Sequence, residues 1–155
     1  MKKALLLFAA LLVAGCGEKS SDSVTLPLSD ANVERLLKEA VDWDSIEDRN
    51  GLSYQPNESK PFSGWAKGMY DSGQVEFLGQ FKNGKHDGPY MSWYENGQKW
   101  LEGTFKDGKR DGLGTQWHEN GQKWLEGTFK DNEPVSAKYW NFKGEEVKTL
   151  WQSLK

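Results

Sequence analysis

The residue types that most often carry acid–base or metal chemistry are scarce in this sequence. It has two histidines, His86 and His118, and one cysteine, Cys16. Neither histidine belongs to an HExxH or His-x-His pattern, which would bring two imidazoles to one metal ion. No serine lies in a Gly-x-Ser-x-Gly turn, and no glycine-rich phosphate loop is present. The sequence therefore predicts no catalytic residue, no metal and no cofactor.

An internal repeat explains the positions of both histidines. His118 occupies the place that Tyr70 and Tyr94 hold in earlier copies, which indicates a structural aromatic position. His86 lies in a turn, where the next copy has Arg110, and we expect it to be exposed. Carboxylates recur with the same period among lysines, so a solvated strand face with cross-strand charge pairs accounts for them.

The repeat is defined by the stretch ENGQKWLEGTFKD, which occurs at residues 95–107 and again at residues 119–131. The offset is 24 residues, and it extends to three glycine triplets: Gly64, Gly88 and Gly112; Gly73, Gly97 and Gly121; and Gly79, Gly103 and Gly127. A fixed period in this range is typical of repeat arrays, in which stacked neighbours bury a core that no single unit can form.

Two-residue turn signals separate runs rich in aromatic residues and threonine. Such dipeptides allow positive φ and mark tight hairpins. They occur at Asn50-Gly51, Ser72-Gly73, Asn83-Gly84, Asn96-Gly97, Asp107-Gly108 and Asn120-Gly121. The sequence predicts a mostly β fold: an elongated antiparallel meander of repeated β-hairpins with one N-terminal helix.

Side-chain alternation within a strand separates core residues from candidate binding residues. Leu101 and Phe105 share a face with Gly103, which is expected to leave room for Trp93. Trp100 points the other way. The candidate binding residues are Trp93, Trp100, Trp117 and Trp124. Exposed rings bind sugars, choline-like cations or partner side chains, whereas the alternative is that they only shield the sheet.

A helix is predicted before the repeats. An apolar stripe at helical spacing comprises Val33, Leu36, Leu37, Ala40 and Val41. Ser29 or Asp30 could cap its first turn. We assign residues 29–45 to this helix and its connection, and residues 46–155 to the repeat domain with degenerate ends.

The start of the chain predicts a lipoprotein. Met1-Lys2-Lys3 and an apolar run at residues 4–14 have the layout of a secretory signal. Residues 13–16, Val-Ala-Gly-Cys, resemble a bacterial lipobox, which implies acylation of Cys16. We assign residues 1–15 to the signal peptide and residues 16–28 to the lipidated cysteine and a flexible tether. Gly17 after the cysteine implies sorting to the outer membrane.

Charge and cysteine content exclude further classes. The formal net charge is −3, so neither nucleic acid nor anionic lipid head groups are expected as main partners, because both are bound through an excess of lysine and arginine. A single cysteine allows no internal disulfide.

Several repeat motifs resemble the MORN-repeat variant family. They include WYENGQ at residues 93–98 and FKDGKRDG at residues 105–112, and the resemblance covers roughly residues 46–144. It implies a twisted single sheet of hairpins without an agreed catalytic residue. Many bacterial relatives are grouped as YwqK-type antitoxins, and eukaryotic relatives are associated with phospholipid binding or scaffolding.

These observations predict a non-enzymatic, membrane-anchored lipoprotein of the cell envelope that binds a protein partner. The alternatives are an antitoxin or immunity protein and a module that binds cell-wall glycan or choline. A hairpin array leaves two sheet edges, so an edge-to-edge dimer is possible.

Overall fold

The structure is a computed structural model, and it describes residues 26–154. The predicted signal peptide, Cys16 and most of the predicted tether lie outside the described residues. The elements are α1 (Asp30–Glu39), β1 (Val41–Asp42), a short 3-10 turn (Trp43–Ser45), β2 (Glu47–Arg49), β3 (Leu52–Tyr54), β4 (Gly64–Met69), β5 (Val75–Lys82), β6 (Lys85–Trp93), β7 (Lys99–Lys106), β8 (Lys109–Trp117), β9 (Lys123–Lys130), β10 (Glu133–Trp140), β11 (Glu146–Val147) and α2 (Leu150–Ser153).

Nine of these strands form one sheet in the order β1-β4-β5-β6-β7-β8-β9-β10-β11. Every neighbouring pair is antiparallel except β1 and β4, and β2 pairs only with β3. The predicted meander of hairpins with an N-terminal helix is therefore confirmed. The sequence did not predict α2. Among residues 26–154, no helix is long and apolar enough to cross a membrane.

The hairpin turns are of two kinds, which alternate along the sheet. Both residues of Asn83-Gly84 have positive φ (51° and 78°), as do both residues of Asp107-Gly108, which is the signature of a two-residue type I′ turn. At Asn96-Gly97 only the glycine has positive φ, 83°, and its N–H donates to the carbonyl of Tyr94. All six predicted dipeptides lie in turns, but only three form the two-residue kind.

Helix α1 forms where the apolar stripe predicts it. The Ser29 hydroxyl caps its first turn by accepting a hydrogen bond from the Asn32 N–H at 3.3 Å. Leu36 is buried against Leu78 and Met91 of the sheet. The stripe was predicted to continue to Val41, but that residue lies in β1, because the backbone is already extended at the C-cap, Ala40.

The sheet has two faces that differ along its length. We name the face that carries α1 the helix face. The other, the aromatic face, has a second core of Phe62, Ala66 and Phe81, with Trp43 packed against it. Strands β4–β6 are thus covered on both faces, and we call them the covered half. No helix or separate core cluster is described over the middle of β7–β9, which we call the open half.

Candidate interaction surface

Cross-strand register places one row of side chains across the helix face. From β4 to β10 the row reads Lys67, Leu78, Met91, Glu102, Thr115, Glu126 and Lys138. Leu78 and Met91 lie in the core beneath α1 and are 0% and 1% exposed. Leu78, Glu102 and Glu126 hold the same repeat position, 24 residues apart. The row therefore changes from apolar to polar where the covered half ends.

The helix face of the open half forms an exposed area between the two helices. We name it the central surface and define it by Trp100, Glu102, Leu113, Thr115, Trp117 and Glu126, of which Glu102 is itself buried. Leu113 is 72% exposed and Trp100 is 40% exposed. The Glu102–Thr115 cross-strand pair lies between them along the strands. Leu26 and Pro27 border a depression in this surface, next to Trp117.

The four candidate tryptophans have different environments. Trp93 packs against the core beneath α1. Trp124 is half-buried, and its Nε1–H donates to the Ser153 hydroxyl of α2 at 2.8 Å. Trp100 and Trp117 lie on neighbouring strands of the central surface. The structure thus brings two of the four candidates to one exposed area.

Leu113 is the exposed residue that the sequence reasoning missed. It occupies the repeat position of Pro89, which is buried in the covered half. An exposed leucine in a strand is a weak signal by itself, because apolar atoms make up much of any protein surface. Its repeat position did not indicate exposure either, since exposure at that position depends on what covers each half of the sheet.

Two tryptophan rings on the helix face each have a lysine ammonium group over them. The Lys99 ammonium lies 5.5 Å from the ring centroid of Trp117 and 2.6 Å from the Glu102 carboxylate. One repeat later, Lys123 lies 5.1 Å from the ring centroid of Trp140 and pairs with Glu126. A choline-like ligand would have to compete with these ammonium groups for the ring faces. This arrangement disfavours the choline-binding alternative.

His86 is not exposed as predicted. Its ring lies among Phe81, Tyr90 and Phe105, with centroid distances of 4.1, 5.1 and 5.5 Å. Burial lowers the pKa of His86 to about 4, and its Nδ1 has no hydrogen-bond partner. Arg110 holds the same repeat position and lies over the ring of Phe129. The exposure prediction failed because His86 lies in β6, opposite Phe81, and not in the turn.

His118 is a structural residue, as predicted. Its Nε2 lies 3.2 Å from the Trp140 carbonyl oxygen. In the preceding repeats the hydroxyls of Tyr70 and Tyr94 donate to the carbonyls of Trp93 and Trp117 at 2.8 and 2.9 Å. These bonds join each turn to the next hairpin. Within residues 26–154, no group of three or more His, Cys, Asp or Glu side chains could hold a metal ion.

Comparison with protein families supports the repeat assignment. A family model described as the MORN repeat variant matches residues 87–107 and 110–131. The first segment lies on the β6–β7 hairpin and the second on the β8–β9 hairpin. No curated protein matches the chain significantly. Such repeats are generally non-catalytic interaction modules, and the central surface lies mainly on the matched segments.

Proposed function

We propose that the protein is a non-enzymatic lipoprotein whose central surface binds a protein partner. The observation that carries this proposal is the exposure of Leu113 and Trp100 in the middle of a sheet whose ends are covered by helices. A few residues near the centre of a protein contact, with tryptophan prominent among them, contribute most of its binding free energy. The pairs Lys99–Glu102 and Lys123–Glu126 add polar groups to the same surface.

The expected partner has an apolar or aromatic segment that covers both ends of the central surface. The Glu102–Thr115–Glu126 row between the two ends is polar and carries two carboxylates. A matching segment would place hydrogen-bond donors or a cation opposite this row, because a buried polar group without a partner weakens binding. Edge-to-edge dimerisation remains a weaker proposal, since both outer strands, β1 and β11, have only two residues.

Membrane anchoring is part of the proposal and is supported by the sequence around Cys16. Two acyl chains would suffice for stable attachment, whereas one would be marginal. Intact mass measurement on the protein from its own membranes tests this part. An unmodified Cys16 would contradict it without affecting the proposed binding surface.

A crosslinking pulldown from the cell envelope tests the binding surface. The double variant Trp100→Ala/Leu113→Ser should lose at least one partner that the unchanged protein captures. Val135→Ser is the matched control, because Val135 is 69% exposed on β10, outside the central surface. Equal capture by both variants would contradict the proposal. If the captured partner is a toxin that the protein neutralises, the immunity alternative gains its first support.

A further inference from the structure

Helix α2 presents its apolar residues to solvent and its polar residue to the sheet. Leu150 and Trp151 of the helix are 45% and 67% exposed and its C-cap, Leu154, is 64% exposed, whereas Ser153 is fully buried. The Ser153 hydroxyl donates to the Leu150 carbonyl and accepts the hydrogen bond from Trp124. This orientation is the reverse of what hydrophobic burial favours within one chain, so the three apolar side chains form an unusual exposed patch.

The patch lies on the same face of the sheet as Leu26 and Pro27, the first described residues. Trp124 and Glu126 are two residues apart on β9, so their side chains point to the same face. Trp124 contacts α2, and Glu126 borders the depression that Leu26 and Pro27 also line. Cys16 is ten positions before Leu26, a separation that an extended chain spans in at most about 35 Å.

The C-terminal segment that carries the patch differs in charge from the whole chain. Residues 137–155 contain four lysines and two glutamates, whereas the complete chain has a net charge of −3. Lysines close in sequence to an exposed tryptophan and leucines favour contact with an anionic bilayer surface, because such rings enter the interface while ammonium groups contact lipid phosphates.

We infer that α2 is a second membrane contact, in which Leu150, Trp151 and Leu154 enter the lipid interface beside the anchor. This inference rests on the proposed lipid anchoring. The contact does not need high affinity, because an anchor within this reach raises the effective concentration of the patch at the bilayer. Two attachment points would fix the orientation of the sheet and hold the central surface at a defined tilt to the membrane.

Brominated-lipid quenching of tryptophan fluorescence tests this contact. The full chain is isolated from its membranes and reconstituted into vesicles of phosphatidylethanolamine and phosphatidylglycerol with lipids brominated near the headgroup. Trp151→Phe should remove most of the lipid-dependent quenching. Trp100→Phe, which changes a ring on the central surface, should leave most of it in place. Leu150→Ser/Leu154→Ser, which retains Trp151, should also reduce the quenching.

Each other outcome overturns the inference. Equal loss in Trp151→Phe and Trp100→Phe would show that the whole helix face lies on the bilayer. Unchanged quenching in Trp151→Phe would show that α2 is away from lipid. A photo-crosslinker at position 151 that forms a protein adduct in cells, with no lipid adduct, would identify a protein as the occupant. Intact mass of the same samples reports acylation of Cys16 separately, so a failed anchor is distinguished from a failed contact.

Discussion

The covered and open halves of the sheet have the same repeat, but side chains at equivalent repeat positions differ in burial between them. In the covered half, Leu78 packs beneath α1, and Phe81 packs on the aromatic face. In the open half, the position of Leu78 is held by Glu102, which pairs with Lys99 on the helix face. The repeat pattern therefore fixes the backbone, whereas the helices at either end decide which positions become core and which become surface.

The doubled ENGQKWLEGTFKD stretch makes this difference clearest, because the two copies are identical. Trp100 is 40% exposed, whereas Trp124 is hydrogen-bonded to Ser153 beneath α2. Glu102 has a side chain that is 11% exposed, and the Glu126 side chain is 48% exposed. A single repeat copy thus does not determine its own surface, and a binding residue cannot be assigned by its motif alone.

The largest effect on stability is expected from exchanging the residue types at the repeat position shared by Leu78 and Glu102. Leu78→Glu places a carboxylate in the core beneath α1, where Leu78 is 0% exposed, and should cost more than about 3 kcal/mol. The reciprocal change, Glu102→Leu, should alter stability by no more than about 1 kcal/mol, because an apolar side chain often replaces a largely buried ion pair at little net cost. Urea unfolding measures both. Equal costs would contradict the distinction between the two halves.

Acidification should destabilise the covered half through His86. Its pKa is lowered to about 4 in the fold, so between pH 6.5 and about 4 the unfolded chain binds a proton that the folded chain does not. The stability contribution is complete above pH 6.5 and is lost as pH falls, by up to about 3 kcal/mol. His86→Phe removes this group. The difference between the two unfolding free energies should therefore change across this pH range, and a constant difference would count against a buried, neutral His86.

Two glycines in identical sequence should respond differently to a methyl group. A Cβ on Gly127 would collide with the Ser136 carbonyl oxygen of β10, so Gly127→Ala should cost about 1–3 kcal/mol. A Cβ on Gly103 would lie 3.4 Å from the Leu113 carbonyl oxygen, an ordinary contact, so Gly103→Ala should change stability by less than about 1 kcal/mol. Thermal unfolding compares them, and the reverse order would refute this account of the packing.

The smallest expected difference in stability is between phenylalanine substitutions of the two duplicated tryptophans, Trp100 and Trp124. Trp124→Phe removes the hydrogen bond to Ser153 and should cost about 1 kcal/mol. Trp100→Phe retains an aromatic ring at a partly exposed position and should be nearly neutral in the isolated protein. Denaturant midpoints of both variants give the comparison. A larger loss at Trp100 would mean that this ring stabilises the fold, and that its exposure carries no functional meaning.

Much of the fold was predictable because it depends on local patterns. The 24-residue period predicted the hairpin meander, and each Asn-Gly and Asp-Gly dipeptide lies in a turn, as predicted. Gly103 was interpreted less well: its neighbours are the backbone atoms of Leu113 and Gly114, and Trp93 lies under α1 instead. The sequence alone does not show which glycine faces another glycine, since that requires the cross-strand register.

The candidate site was less predictable than the fold because it depends on tertiary contacts. Trp100 was selected because it points to the face opposite Leu101. The same reasoning selected Trp124, which is hydrogen-bonded to Ser153 of α2. Leu113 was missed because nothing near it in sequence indicates where α1 ends on the sheet. His86 was placed at the surface because it adjoins a turn, although three rings enclose it. Local patterns thus predicted which face of the sheet a side chain points to. They did not predict which of those side chains segments distant in sequence would cover.

Hydroxyl-radical footprinting of the protein in its own membranes, compared with the purified chain, tests the central surface most directly. The account predicts that Trp100 and Leu113 are labelled less in membranes than after purification, because a protein partner covers them. Val135 should be labelled equally in both samples, as an exposed side chain outside the surface. Equal labelling of Trp100 and Leu113 in both samples would contradict the proposal that this surface is a contact site.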